Sequence, residues 1–166
     1  CAVSGYCTEG NKATLYIRQN GTLYFGGLTG KNAGVIRNCE VDTPLVNANI
    51  LYGKAYISGF SGENASTGKI TGSYAIGKVK VEYSKGEKSM ISGFTAKNAG
   101  YLNNNYCAVA LTAAGSTDTC GFSPKGGNIR NCDYLSGGTF RYLGNMESYE
   151  NTSGSGTARS YDELKQ

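Results

Sequence analysis

The chain has 166 residues, the length of one ordinary domain, and its 25 glycines, 13 tyrosines and 2 prolines favour an all-β fold. Only 17% of the residues are charged, which excludes a disordered tail, and the formal net charge of +4 comes from scattered Lys and Arg rather than from a basic block. We therefore expect no nucleic-acid partner, and no apolar run approaches the roughly 18 residues that a membrane span requires.

The amino-terminal residues carry two signals. Cys1-Ala2-Val3 matches the Cys39-Glu40-Val41 part of the repeat described below, and we expect it to be the end of a repeat whose first half lies before this chain. Residues 14–18 and 22–25 are β-rich runs on either side of Asn20-Gly21. An Asn-Gly pair between two such runs is typical of a β-hairpin.

A glycine-led motif recurs four times along the chain, starting at Gly27. The apolar residue that follows the first glycine lies, in the four copies, at Leu28, Phe60, Phe94 and Phe122. The intervals between these positions are 32, 34 and 28 residues. Periods of this size mark stacked repeats, in which no single unit can bury its own apolar face. The sequence therefore predicts a β-solenoid of roughly four to five coils.

Each repeat is predicted to contain a strand leading into Gly-Phe, a polar turn, a strand through Gly-x-Ile-x-Asn and a hairpin excursion of variable length. Alignment on Gly-x-Ile yields two structural columns. The aliphatic column is expected in the interior and contains Ile36, Ile70, Leu102 and Ile129. Two residues later, an inward-facing asparagine column, broken by a glycine, is expected to satisfy backbone groups at a bend. Its members are Asn38, Asn104 and Asn131.

The predicted solenoid covers residues 1–145. It is divided into a partial unit and four coils, at residues 1–25, 26–58, 59–92, 93–120 and 121–145. After Cys132 the repeat weakens, although residues 134–135 and 139–143 are still predicted to be strands. Residues 146–166 are predicted to be a loop that ends in a short helix, with Ser160 as N-cap and Glu163 at the capping-box position.

These motifs resemble a known family. The pattern Gly-Phe-x-Gly-x-Asn followed by Gly-x-Ile-x-Asn-Cys, over roughly residues 20–135, resembles the GLUG repeat of large bacterial secreted and cell-surface proteins. Such proteins include filamentous, adhesin-like proteins and regions flanking IgA1-protease-type metallopeptidases. The resemblance implies a right-handed parallel β-helix, exported from a bacterium, that serves as a stalk or an adhesive surface. It supplies no catalytic residue, and Pro124 and Gly126 depart from the pattern in the fourth copy.

Six cysteines would permit disulfide bonds in an exported protein. The candidate bridge joins Cys107 to Cys120 across one excursion, and the Cys1–Cys7 pair is a second pairing. The alternative is that the cysteines are small buried core residues, since Cys39 and Cys132 share a repeat column. The chain has no histidine and no CxxC pair, so we expect neither a structural zinc site nor a cofactor.

The absence of histidine also removes Ser-His-Asp and Cys-His hydrolysis and histidine-ligated metal catalysis. A glycosidase would need two converging carboxylates, and the acidic residues that share a neighbourhood are Glu40, Asp42 and Asp133. With Arg37 and Arg130 they could line a polysaccharide-cleaving groove, so a carbohydrate-active β-helix enzyme stays as an alternative. We favour the interpretation that they form solvent-exposed, charge-balanced columns.

Tyrosines in or beside the strands are the candidate binding residues, because tyrosine on a rigid sheet can stack on sugar rings or anchor a protein at low entropic cost. They are Tyr24, Tyr52, Tyr56, Tyr83 and Tyr101. A purely structural role in the strands is the alternative. The sequence thus predicts a non-catalytic structural or adhesive module, extracellular or on a cell surface, with a host or cell-surface protein or glycan as partner. A further alternative is a self-associating filament subunit with open strand edges.

Overall fold

The computed structural model describes residues 2–4, 14–17, 20–142, 145–149 and 154–164. The chain is mostly parallel β-strand (60%) with almost no helix, and it winds into a β-solenoid of about three turns. The predicted all-β solenoid is confirmed, and the right-handed sense of its coil stays a prediction. It has fewer turns than predicted because only the three central repeats supply a strand to every side.

The described residues form 20 strands and one short helix. The strands up to the end of the second full coil are β1 (Ala2–Ser4), β2 (Thr14–Ile17), β3 (Thr22–Gly26), β4 (Thr29–Asn32), β5 (Val35–Arg37), β6 (Glu40–Ile50), β7 (Lys54–Ser58), β8 (Ser61–Asn64), β9 (Lys69–Thr71) and β10 (Tyr74–Ser84). The remaining elements are β11 (Ser89–Ser92), β12 (Thr95–Asn98), β13 (Tyr101–Asn103), β14 (Tyr106–Ala113), β15 (Thr117–Cys120), β16 (Asn128–Arg130), β17 (Asp133–Leu135), β18 (Thr139–Tyr142), β19 (Asn145–Ser148), β20 (Thr157–Arg159) and α1 (Tyr161–Leu164).

Four parallel sheets make up the sides of the solenoid. Sheet A contains β1, β6, β10, β14, β17 and β20, with β2 also paired to β6. Sheet B contains β3, β7, β11 and β15, sheet C contains β4, β8 and β12, and sheet D contains β5, β9, β13 and β16. Each full coil passes through sheets B, C, D and A in that order, so equivalent residues of successive coils lie side by side.

The predicted hairpin excursions are wrong. The residues assigned to them form the long strands of sheet A, and β10 pairs in parallel with both β6 and β14. Side chains on β10 alternate between buried and half-buried, with Ala75, Val79 and Val81 fully buried. An isolated hairpin would leave that apolar face in water, whereas a parallel sheet closes it over the core.

Asn20-Gly21 does not close a hairpin either. Leu15 of β2 lies opposite Ala48 of β6, and Leu23 of β3 lies opposite Ala55 of β7, both in parallel pairs. The Asn-Gly pair therefore lies between sheet A and sheet B. Residue types that suit a tight turn also suit the corner of a coil, so the local sequence does not distinguish the two. Among the named strands, only β18 and β19 pair antiparallel.

The aliphatic column is confirmed in full. Ile36 lies opposite Ile70, Ile70 opposite Leu102, and Leu102 opposite Ile129. The two central members are fully buried, and the two outer ones are half-buried. Burial increases toward the middle because each central side chain is covered by a coil on both sides.

The phenylalanines of the glycine-led motif form a second core column. The ring centroids of Phe60 and Phe94 lie 4.5 Å apart, and those of Phe94 and Phe122 lie 4.8 Å apart. All three rings are fully buried. These distances match the separation of neighbouring strands, about 4.8 Å, so register pairing alone brings the rings into stacking contact.

The glycine before each phenylalanine lies where two coils touch. A Cβ added to Gly93 would meet the backbone oxygen of Gly121 in the next coil and would lie 2.8 Å from Cys107 Sγ. Any side chain there would push the coils apart, so the Gly-Phe pairing of the motif reflects close coil contact.

The predicted inward column of Asn38, Asn104 and Asn131 is wrong in its direction. All three side chains are exposed. Their backbones adopt positive φ angles of 50°, 54° and 48°, and Gly72 in the same column has φ 60°. The predicted bend is present, and Asn and Gly occupy it because they tolerate the left-handed region better than other residues.

A different asparagine column lies in the interior. Asn32 Nδ2 donates to Asn64 Oδ1 at 2.9 Å, and Asn64 Nδ2 donates to Asn98 Oδ1 at 2.8 Å. Asn98 Nδ2 then donates to the backbone oxygen of Gly126 at 2.9 Å. Asn64 is fully buried and its two partners nearly so. This ladder satisfies buried amides from coil to coil, which is the role that the sequence analysis assigned to the other column.

Both ends of the described chain agree with parts of the prediction. Ala2 and Val3 lie opposite Glu40 and Val41, the register expected from the repeat. The helix α1 carries the predicted capping box, since the Ser160 amide donates to Glu163 Oε2 at 2.7 Å and the Glu163 amide donates to Ser160 Oγ at 3.4 Å. The predicted loop before it is partly wrong, because β20 extends sheet A by pairing with β17.

Candidate functional site

The five candidate tyrosines do not share one face. Tyr24 and Tyr56 lie on sheet B, while Tyr52 lies in the turn after β6 and is 58% exposed. Tyr83 is exposed near the end of β10, and Tyr101 lies half-buried on sheet D. The structure therefore brings together only the first pair.

Tyr24 and Tyr56 stack on each other on the outer side of sheet B. They are register partners in β3 and β7, and their ring centroids lie 5.2 Å apart with an interplanar angle of 8°. Both rings are half-buried. The pair is thus held by the coil spacing and by the contact between the rings, and it is a fixed feature of the surface.

Two lysines lie against this tyrosine stack. Lys54 Nζ is 5.2 Å from the ring centroid of Tyr56. Lys97 Nζ is 5.6 Å from the centroid of Tyr24 and 5.7 Å from that of Tyr56. A cation almost equidistant from two parallel rings lies at the rim of the stack rather than between the rings. Both contacts fall within the range of cation–π attraction, about 6 Å.

Beside the stack, a carboxylate on sheet C links the coil before its own to the coil after it. Glu63 has only 9% of its side chain exposed, and it lies 3.2 Å from Lys31 Nζ and 3.5 Å from Lys97 Nζ. The three residues are register partners in β4, β8 and β12. The charge of Glu63 raises the pKa of Lys97, which favours its charged form. We call the whole arrangement the tyrosine–lysine surface, formed by Tyr24, Tyr56, Lys31, Lys54, Lys97 and Glu63.

Tyr101 borders a shallow groove of about 430 Å³ at the corner between sheets C and D. The strand-register partners of Tyr101 are Lys69 and Asn128, and both also line the groove. Gly68 and Gly100 line it as well. The groove is open to solvent and holds one aromatic ring and one cation among its lining residues. It is a weaker candidate than the tyrosine–lysine surface.

Sequence reasoning missed a second tyrosine stack, on sheet A. The ring centroids of Tyr74 and Tyr106 lie 4.9 Å apart with an interplanar angle of 9°. The Tyr74 hydroxyl donates a hydrogen bond to Glu40, and this bond, with burial and the Glu40 charge, raises the pKa of Tyr74 to about 12. The signal was available, since each tyrosine lies four residues after the apolar residue of Gly-x-Ile in its repeat.

Glu40 and Asp133, two of the acidic residues weighed for catalysis, do not converge. Glu40 and Asp133 share one column of sheet A, but Tyr74 and Tyr106 lie between them. Three strand spacings separate the carboxylates by roughly 14 Å, beyond the about 5–9.5 Å that glycosidases use. Asp133 is also paired with Arg159, at 3.3 Å.

The two arginines of that predicted groove lie apart from the acidic residues. Arg37 and Arg130 are exposed on sheet D, in the column that also holds Thr71 and Asn103. Asp42 follows Glu40 by two residues on β6 and lies beside Ile76 of the next coil. The described residues therefore place the arginines and the acids on different sides of the solenoid.

The predicted bridge between Cys107 and Cys120 is wrong, because no disulfide joins these two buried residues. Cys107 belongs to sheet A and donates to the backbone oxygen of Gly121 at 3.2 Å, whereas Cys120 belongs to sheet B and its sulfur lies 3.6 Å from Met90 Sδ. Burial raises the pKa of the Cys107 thiol, which keeps it protonated.

The core-residue alternative holds for the other described cysteines, since Cys39 and Cys132 are free and buried. Cys1 and Cys7 lie outside the described residues. Across the described ranges, no three His, Cys, Asp or Glu side chains are grouped as metal ligands would be. In the same ranges, no helix has the length and apolarity to cross a membrane.

Comparison of the chain with known protein families, with curated proteins and with solved structures finds no match. The resemblance to GLUG repeats therefore stays a prediction from the sequence.

Proposed function

We propose that this chain is a non-catalytic adhesive module of an exported bacterial surface protein, in which a β-solenoid of GLUG-like repeats presents a rigid binding face. The observation that carries the proposal is the stack of Tyr24 on Tyr56 with Lys54 and Lys97 against it. A glycan or a protein of a host or cell surface is the partner that such a face suits.

Rigidity is what makes this surface suitable for binding. Its residues come from adjacent strands that are fixed by parallel ladders on both sheets B and C. A side chain that is already ordered loses little conformational entropy when a ligand arrives, whereas each mobile side chain would cost about 0.5–1.5 kcal/mol. The wide separation of Glu40 from Asp133 also favours a binding role over glycoside hydrolysis.

The test is binding of the chain to a broad glycan array, repeated with the double substitution Tyr24→Ala and Tyr56→Ala. We expect the double variant to lose binding by about tenfold or more, because tyrosine is enriched among interface hot spots, whose truncation costs about 2 kcal/mol or more. Tyr106→Ala, which removes a ring from the other stack, is the matched control and should bind like the parent chain. If both variants lose glycan binding equally, or if the double variant loses none, the proposed location of the binding site is contradicted.

Self-association is a second candidate function, and one observation favours it. Among the described residues, β3, β4 and β5 pair only with the following coil, and Val35 at that edge is 58% exposed. At the opposite end, Ser155 forms a bridge with Ser123 and Gly156 lies against Phe122, so that end is covered. An open parallel edge can pair with another chain.

Light scattering over a range of protein concentrations tests the self-association. If the open edge associates, the molar mass should rise with concentration, and Val35→Lys should reduce the rise by placing a charge at the edge. A constant monomer mass at every concentration would exclude this function. Val35 is already exposed, so its substitution is not expected to unfold the chain.

A further inference from the structure

We propose that the ligand of the tyrosine–lysine surface is an acidic polysaccharide, whose carboxylate or sulfate groups bind Lys54 and Lys97. This inference rests on the proposed function and names the ligand class of the same surface. It follows from the hydrogen-bonding inventory, the charge balance and the orientation of the rings.

Donor N–H and O–H groups outnumber acceptors among the side chains of the surface. Each lysine ammonium offers three N–H groups and accepts none, and each tyrosine hydroxyl can donate. The tyrosine hydroxyls can also accept, but the anionic acceptor of the set is the carboxylate of Glu63, and it is already engaged by Lys31 and Lys97. A ligand rich in acceptor oxygens complements such a surface, and anionic oxygens do so most strongly because charge-assisted hydrogen bonds are about twice as strong as neutral ones.

The charges do not balance within the surface. Lys31 and Lys97 share one carboxylate, and the described chain places no carboxylate within ion-pair distance of Lys54. Along the solenoid, Lys125 occupies the repeat position of Lys97 and is exposed, which continues the positive charge. An anionic ligand would therefore find uncompensated cations on successive coils.

The orientation of the rings favours contact through charged groups over stacking on sugars. Because Tyr24 and Tyr56 stack on each other, one face of each ring is covered by its partner. Lys97 lies at the rim of the stack, so the accessible rim combines ring edges with an ammonium. Lys31 and Lys97 belong to coils two strand spacings apart, roughly 10 Å, so their anionic partners would be distributed along an extended chain.

A nucleic acid is a poorer fit than a polysaccharide. Proteins that hold a duplex commonly make about 6–10 phosphate contacts, whereas this surface offers three lysines, two of which are paired with Glu63. The nearby Lys88 adds little to this charge, because it is already paired with Asp118 at 3.0 Å. The charge is sufficient for a few widely spaced anions but not for a dense row of phosphates.

Calorimetric titration of the chain with polygalacturonate, and with neutral dextran of matched length, tests this proposal. We expect polygalacturonate to bind at low salt and to weaken steeply as salt is added, because salt screens exposed charges. Lys54→Gln should weaken binding by about tenfold, the loss of one well-placed charged contact. Lys54 has no ion-pair partner among the described residues, so this variant should fold normally. Lys69→Gln, in the groove of sheet D, is the matched control and should leave binding unchanged.

Each outcome separates the inference from the proposed function. Binding of dextran as tight as that of polygalacturonate, with Lys54→Gln silent, would overturn the acidic ligand and keep the adhesive surface. Duplex DNA that competes as well as polygalacturonate would also overturn it, by showing a general attraction for polyanions. If neither the polysaccharides nor any member of the glycan array binds, the proposed carbohydrate function fails together with the inference.

Discussion

Phe94→Ala is expected to lower the free energy of unfolding by about 3–5 kcal/mol, the usual cost of truncating a buried phenylalanine. Phe94 is fully buried and stacks on two other rings, Phe60 at 4.5 Å and Phe122 at 4.8 Å. The substitution leaves a cavity in the middle of the column, and the parallel ladders on either side prevent the coils from collapsing into it. Urea denaturation followed by circular dichroism measures the loss.

Tyr106→Ala is the matched control for this effect. Tyr106 also stacks on a ring of the neighbouring coil, but it is 38% exposed and solvent can fill the space that it leaves. We expect its cost to stay near the about 0.5–1.5 kcal/mol of an aromatic pair. If the two variants lose similar stability, ring stacking rather than burial holds the coils together, and our account of the core is wrong.

Asn64→Ala is expected to lower the free energy of unfolding by about 1–3 kcal/mol, the cost of one buried N–H left without an acceptor. That N–H belongs to Asn32, since Asn98 Oδ1 still accepts from the Gly100 amide at 3.3 Å. The substitution removes the acceptor of Asn32 Nδ2 and the donor to Asn98 Oδ1 at the same time. Thermal unfolding followed by circular dichroism is the measurement.

Asn103→Ala is the control for the asparagine ladder. Its side-chain oxygen accepts one long hydrogen bond, from Asn131 at 3.4 Å, in an exposed position. Because water replaces that bond, we expect a change within about 0.5 kcal/mol. A loss for Asn64→Ala no larger than that of the control would mean that the interior ladder is replaced by water and does not stabilise the coils.

The columns of the core could be predicted from the sequence because they depend only on the spacing of the repeats. Ile36, Ile70 and Leu102 lie opposite one another in three successive coils, because the chain returns to the same side of the solenoid after each repeat. Insertions between them fall outside the short strands of sheets C and D, so the aligned motif stays in phase. The capping box of α1 was equally accessible, because its two residues contact each other over one turn.

The strand partners and the direction of the side chains could not be predicted from the repeat spacing in the same way. Asn20-Gly21 indicates a turn, but whether the chain then folds back or continues around a coil depends on strands 32 residues away. Asn38 and Asn32 are both repeated asparagines, and only the sharp bend at Asn38 turns its side chain outward. Disulfide pairing failed for the same reason, because the positions of Cys107 and Cys120 on different sheets are a property of the whole coil.

The candidate site was found in part. Tyr24 and Tyr56 were candidates because tyrosine suits exposed strands, but the same rule selected Tyr52 and Tyr83, which lie elsewhere. The contribution of Lys97 was not predictable from local sequence, because it reaches the stack from sheet C of another coil. Tyr74 and Tyr106 could have been found by extending the repeat alignment into the residues that were predicted to be hairpin excursions.

The parallel pairing of all four sheets has a mechanical consequence. Hydrogen bonds between neighbouring coils run along the solenoid axis, so tension that separates one coil from the next must stretch the bonds of several sheets at once. No disulfide joins the four described cysteines to one another, so no covalent bond between them shares that load. Under tension applied to the chain itself, coils would peel away one at a time, and the extension would grow in steps of about one repeat length.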